Sequence, residues 1–171
     1  MKGDVGRKIV SVEILHASPS VELTHVRDLF REYAEGLGIS PCFEGFDKEL
    51  AELPGDYAPP GGRLLIARYD EQMAGCVALR NVSDGISEMK RLFVRPSFRG
   101  KGIGRELAAM VIGEARIIGY RRIRLETLPV MMEAVPLYLS LGFGFIDPYR
   151  KSHAEGALYM ELRLDSESRV E

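Results

Sequence analysis

The chain has 171 residues, with 23 Lys plus Arg against 25 Asp plus Glu, a formal net charge of −2, 46% hydrophobic residues and two cysteines. A chain of this length buries roughly 70% of the surface its unfolded form exposes, so one core holds it without disulfide or metal. The balanced charge excludes a surface built broadly for nucleic acid or anionic membrane, partners that demand a wide excess of Lys and Arg.

From the N-terminus, residues 1–10 mix charges with apolar residues and lack the apolar run of a signal peptide. Val10, Val12 and Ile14 alternate with polar residues and predict a first strand ending near His16. Ser18, Pro19 and Ser20 punctuate, and residues 21–37 carry Leu23, Val26, Phe30, Tyr33, Ala34 and Leu37 at helical spacing, ended by Gly36 and Gly38. Residues 39–62 are rich in Pro and Gly and are expected to be loop, with a short helix inside 43–53 built on Phe46, Leu50 and Leu53. Residues 64–69 and 73–80 predict a hairpin turned at Asp70, Glu71 and Gln72, followed by a strand at 86–94. Residues 102–120 repeat Ile103, Leu107, Met110, Val111, Ala115 and Ile118 on one helical face. A strand at 121–127 leads to a short helix at 133–141, with Pro136 in its first turn and Gly142 past its end. Strands at 143–146 and 157–164 finish the fold, and 165–171 is expected to fray. The order predicts one mixed α/β domain over 1–171, with its core at 8–164.

Cys42 and Cys76 stand outside any paired spacing and read as reduced thiols, Cys76 inside an apolar strand. His16, His25 and His153 lack ligand spacing, so no metal is expected. No apolar run is long enough to span a bilayer, and the cytoplasm is the default compartment.

The informative stretch is 86–105, where a strand runs into a glycine-rich turn that opens a helix. Between Met89 and Arg105 lie Lys90, Arg91, Arg95, Arg99, Lys101 and Arg105, and no acidic residue. Backbone N–H groups and the helix dipole converge there, and Gly100, Gly102 and Gly104 allow a ligand close approach, so an anion is expected. The Walker A pattern fails because Gly100-Lys101 is followed by Gly102. The dinucleotide pattern fails because Leu107 stands where its last glycine belongs.

What remains, Arg99-x-x-Gly102-x-Gly104, resembles the diphosphate signature of the GCN5-related N-acetyltransferase (GNAT) family. Pro96 before the turn, the strand end Leu92-Phe93-Val94, and the Leu-Tyr and Leu-Gly-Phe pairs between Ala134 and Phe143 strengthen the likeness, which covers roughly residues 10–164. It implies a mixed sheet of six to seven strands, helices on both faces and a splayed central strand pair. Acetyl-CoA is then the co-substrate. Gly100, Lys101, Gly102, Ile103 and Gly104 would hold its diphosphate with Arg99 and Arg105, and Leu92, Phe93 and Val94 would bond its pantetheine. Met131 stands where the family commonly carries an Asn toward the pantetheine.

The implied reaction is direct attack of a primary amine on the thioester. Glu88, eleven residues before Arg99, matches the place of a catalytic Glu in some members and is the candidate base. Tyr138 matches the tyrosine near the CoA sulfur and is the candidate acid. Read from the residues alone, Glu88 is equally a solvated partner of Lys90 or Arg91, and Tyr138 a core tyrosine. The acceptor would meet Phe30, Tyr33, Phe43, Phe46, Tyr57 and the loop 147–155, residues that equally well only cover the core. A small-molecule amine is the expected acceptor, with a protein amine or a non-catalytic acyl-CoA sensor as the rival readings. Exposed strand edges make a homodimer plausible.

Overall fold

The computed structural model describes residues 10–17, 22–38, 45–152 and 154–165. The expectations for Ser18–Ser20, Cys42, Phe43, His153 and the tail beyond 165 lie outside the described residues.

Seven strands form one sheet: β1 (Val12–His16), β2 (Arg63–Tyr69), β3 (Gln72–Ser83), β4 (Ile86–Val94), β5 (Arg122–Thr127), β6 (Gly144–Ile146) and β7 (Leu158–Arg163), in the spatial order β1-β2-β3-β4-β5-β7-β6. Every neighbouring pair is antiparallel except β4 and β5. The helices are α1 (Glu22–Gly36), α2 (Phe46–Glu52), α3 (Ile103–Ile118) and α4 (Val135–Ser140). The β2–β3 turn is one residue tighter than expected. Asp70 and Glu71 alone connect the strands, both at positive φ (49° and 66°), the hand that a two-residue hairpin turn requires. β3 also runs past residue 80 to Ser83, pairing there with Ile86.

α3 lays Leu107, Val111 and Ala115 on one face of the sheet, against Val77, Leu79 and Ile123. α1 and α2 cover the other face, where Val26, Phe30, Phe46 and Leu50 meet Ile66, Cys76 and Ala78. The residue alternation of β2 and β3 sorts the two sides: Leu65 and Val77 face α3, Ile66 and Cys76 face α1. The Pro/Gly-rich stretch therefore does contain a helix, shorter than 43–53, and its apolar residues close the α1 side of the core. The expected helix at 133–141 divides into a 3₁₀ stretch, Pro129–Ala134, and α4, which carries Pro136 in its first turn.

β4 breaks its own alternation. Cys76 of β3 pairs with Phe93 but Ala78 pairs with Lys90, so one residue of β4 bulges, and Arg91 takes positive φ (59°). Before the bulge Met89 packs on the α3 side; after it Leu92 and Val94 do, and Phe93 turns to the α1 side. On the far edge, β4 pairs with β5 at only three positions, Ile86 with Arg122, Ser87 with Ile123 and Glu88 with Arg124. Beyond Glu88 no ladder joins the two strands among the described residues. The central pair is splayed, as the resemblance implied.

Candidate active site

The splay opens into a cleft of about 900 Å³. Met89, Lys90 and Leu92 of β4 form one wall, and Leu125 and Glu126 of β5 the other. α2 closes one side with Phe46 and Glu49, while Arg150, Lys151, Ser152 and Ala154 close another. Tyr138 and Met131 line it from the C-terminal half.

At the end of β4 the glycine turn has the shape a ligand needs. Gly100 and Gly102 lie at φ 78° and 79°, and a Cβ on either would meet nothing within 4 Å, so their backbone faces open space. Gly102 starts α3 with no side-chain cap, which leaves the first-turn N–H groups to an outside acceptor. Gly104 packs beside Val94 and Leu137 with room for a methyl group. Arg99 hydrogen-bonds the Val94 carbonyl (3.0 Å) and lies over the Phe93 ring. Lys101 lies over the Tyr69 ring. Arg105 reaches the Ser140 hydroxyl (2.6 Å), tying α3 to α4. Ile103 and Phe93 put their side chains into the core, so only their backbone is on offer to a cofactor. These features fit a diphosphate at the turn and an extended chain along the unpaired edge of β4. Thr127 Oγ1, fully buried at the open end of β5, has no hydrogen-bond partner among the described residues.

Glu88 is not a solvated carboxylate. Its side chain is 1% exposed. Arg80 donates to Oε1 through Nε (3.1 Å) and Nη2 (2.9 Å), and Tyr149 and Arg150 each donate to Oε2 at 2.7 Å. Four donors fill the four lone-pair positions of a carboxylate. Burial raises the Glu88 pKa, but Lys90, the Tyr149 hydrogen bond, Arg80 and Arg150 outweigh it, and the net shift is downward. Arg150 also pairs with Glu126 (2.6 Å), which accepts from the Ser152 hydroxyl.

A second network pins α2. Arg91 gives two hydrogen bonds to Glu49 Oε2 (3.1 and 2.9 Å) and lies over the Tyr33 and Phe46 rings, while the Tyr57 hydroxyl donates to Glu49 Oε1. Tyr33, Phe46 and Tyr57 line the cleft. Phe30 does not: it is fully buried against Tyr57.

Tyr138 is 4% exposed and packs edge-on to Phe143. No described residue hydrogen-bonds its hydroxyl, and burial pushes its pKa up, so it stays protonated and able to donate at neutral pH. Sequence reasoning pointed to the loop 147–155, which carries Tyr149 and Arg150, but did not find Arg80, Lys90 and Glu126 as cleft residues. For Lys90 the signal existed, since it shares the cleft-side alternation of Glu88. Among the described residues no group of three or more His, Cys, Asp or Glu is placed to hold a metal, and no helix is long and apolar enough to cross a membrane.

Comparison with known proteins agrees with this geometry. An uncharacterized N-acetyltransferase of Schizosaccharomyces pombe is 37% identical over 145 residues, covering 84% of this chain and 89% of the yeast protein. Human N-acetylaspartate synthetase is 38% identical over 97 residues, 56% of this chain and 32% of that one. The structure of the PaiA N-acetyltransferase of Thermoplasma acidophilum in complex with coenzyme A superposes with a TM-score of 0.70 at 22% identity, covering 90% of this chain and 99% of the archaeal one. The model of the acetyltransferase (GNAT) family matches residues 23–143. With the splayed strands, the glycine turn and this match together, the chain belongs to the GNAT family and is an N-acyltransferase.

Proposed function

We propose that the protein transfers acetyl from acetyl-CoA to the primary amine of a small molecule, by direct attack within a ternary complex. The observation that carries this reading is the β4–β5 splay, which connects the glycine turn to the charged cleft past Tyr138. The amides of residues 100–104, with Arg99, Lys101 and Arg105, hold the diphosphate. The edge of β4 at Leu92 and Val94 bonds the pantetheine chain, which places the activated acyl group in the cleft. Tyr138 gives its proton to the departing thiolate. Glu88 is ionised at neutral pH and takes the amine proton, directly or through one water, once a donor to Oε2, Tyr149 or Arg150, moves aside and frees a lone pair for it. A small acceptor is favoured over a protein chain because α2 on one side and Arg150, Lys151, Ser152 and Ala154 on another close the cleft. The human relative is named for an acetylated amino acid, which supports the same choice.

The test is calorimetry with CoA beside thiol release from acetyl-CoA across a panel of amines. Wild-type protein binds CoA and releases thiol above background; Tyr138→Phe keeps CoA binding and loses about 10²-fold in kcat. Glu88→Gln keeps CoA binding, loses rate and flattens the acid limb of the pH profile. No heat with any CoA species would end the proposal, and CoA binding without thiol release would make the protein a sensor.

A further inference from the structure

The cleft holds more positive charge than acetyl transfer requires. Setting aside the exposed rim residues Lys48, Glu52, Asp56 and Lys151, whose charges cancel, its inner wall carries four cations, Arg80, Lys90, Arg91 and Arg150, and three carboxylates, Glu49, Glu88 and Glu126. Three of the cations are paired: Arg91 with Glu49, Arg80 with Glu88, and Arg150 with both Glu88 and Glu126. Lys90 makes no ion pair or hydrogen bond with a described residue, although its ammonium is held largely out of water. Arg91 and Arg80 surround it with like charge, and Glu88 and Glu49, already engaged, offset this only in part. Burial first, then these two arginines, lower its pKa to about 8, so below that pH the wall keeps one uncompensated cation. A largely buried charge in that state is costly until an anion completes it. Arg80 adds a second donor edge: its Nη1 lies 4.0 Å from Asp56, whose side chain is 81% exposed and easily displaced.

We propose that the acceptor amine also carries a carboxylate, and that Lys90, with the Nη1 edge of Arg80, receives it. This rests on the acetyl-transfer reading of the same cleft and adds the acceptor's second functional group. One carboxylate balances the single excess charge of the inner wall. It also draws the acceptor onto β4 two residues before Leu92, on the strand that binds the pantetheine, so the amine is presented to the thioester in one orientation. Charge sets a pH limit in the same direction. The charged groups facing Lys90 are Arg80 from β3, Glu88 and Arg91 from β4 and Glu49 from α2, and deprotonation of Lys90 itself weakens acceptor binding as the pH rises through about 8.

The experiment measures acetyl-CoA thiol release with paired acceptors: glycine, β-alanine, aspartate and glutamate, each beside its carboxamide, and phosphoethanolamine beside β-alanine. Wild type prefers the acids at least tenfold in kcat/KM. Lys90→Met raises KM for the acids at least tenfold and collapses the acid-to-amide preference toward one, while Lys90→Arg recovers most of it; CoA calorimetry on each variant certifies the fold. Amides that match acids, phosphoethanolamine that outruns β-alanine, or a Lys90→Met defect in kcat equal for acids and amides overturns the proposal. If CoA gives no heat, the acetyl-transfer reading itself has failed. If CoA binds but no acceptor turns over, succinate titrated into the CoA-loaded protein decides: binding lost in Lys90→Met supports the receptor, and absence of binding to wild type overturns it.

Discussion

Glu88 ties the β3–β4 pair, in which Arg80 stands directly opposite it, to a distant loop. Arg80 approaches from the neighbouring strand, and Tyr149 and Arg150 from a loop more than sixty residues later. The sequence marked Glu88 only by its distance from Arg99. Its loop partners could not be read, because no local period relates a strand carboxylate to a distant loop, and the loop's own polar composition looks like any surface turn. Removing the charge takes from Arg80 its buried partner and leaves Arg150 with Glu126 alone, so Glu88→Gln is expected to cost about 1–3 kcal/mol at pH 7. The sign with pH follows from the lowered pKa. A carboxyl held below its unfolded value of about 4.3 stabilises the fold above that value and loses the contribution as pH falls through the folded one. In urea titrations the gap between wild type and Glu88→Gln should therefore be full at pH 7 and shrink below about pH 4. A gap that stays constant to pH 3 would show that the network contributes through packing rather than charge.

The bulge in β4 is the element-scale counterpart. Residues 88–94 read as one unbroken strand, and a left-handed arginine gives no sequence signal, since glycine and asparagine are the residues that mark that conformation. The periodic elements were legible for the opposite reason. α1 and α3 repeat apolar residues at helical spacing over four turns, and the glycine turn before α3 announces itself by residue type. Within the Pro/Gly-rich stretch Phe46, Leu50 and Leu53 marked α2, but its seven residues are too few to sustain a period that would fix its ends. Tertiary contacts hold this helix: Arg91 swings out at the bulge, pairs twice with Glu49 and seats the Phe46 ring. Arg91→Met should leave Glu49 half-buried with only Tyr57 as a described donor, and cost about 3 kcal/mol. Hydrogen exchange is the discriminating readout. Amides of residues 46–57 should lose protection while those of β2 and β3 keep theirs; uniform loss across the sheet would mean that the bulge, not the ion pair, had been disturbed.

At the scale of the whole molecule the splay divides the sheet into unequal parts. β1 to β4 form one antiparallel block covered by α1, α2 and α3, and β5, β7 and β6 form another, carrying α4. Three aligned residue pairs join β4 to β5, and elsewhere the parts meet through α3, through the ion pair of Glu88 with Arg150 and through the hydrogen bond that Arg105 donates to Ser140. A cofactor lying in the gap touches both blocks, so its binding energy is spent on the weakest seam of the fold. The ordinary linkage of ligand to stability sets the size: CoA at a hundredfold excess over its Kd adds about 2.7 kcal/mol. For a chain of this size each kcal/mol moves Tm by about 2–4 °C, so a rise of roughly 5–10 °C follows. The distribution of the gain tests the seam. Exchange should slow most at β5 and β7 and at residues 88–94, and least at β1 and β2. Gly102→Asp, which puts a carboxylate and a strained left-handed residue at the diphosphate turn, should abolish both the Tm rise and the protection. If CoA raised Tm in wild type but protected β1 and β2 as strongly as β5, the two blocks would be opening as one unit, and the seam would have no energetic existence.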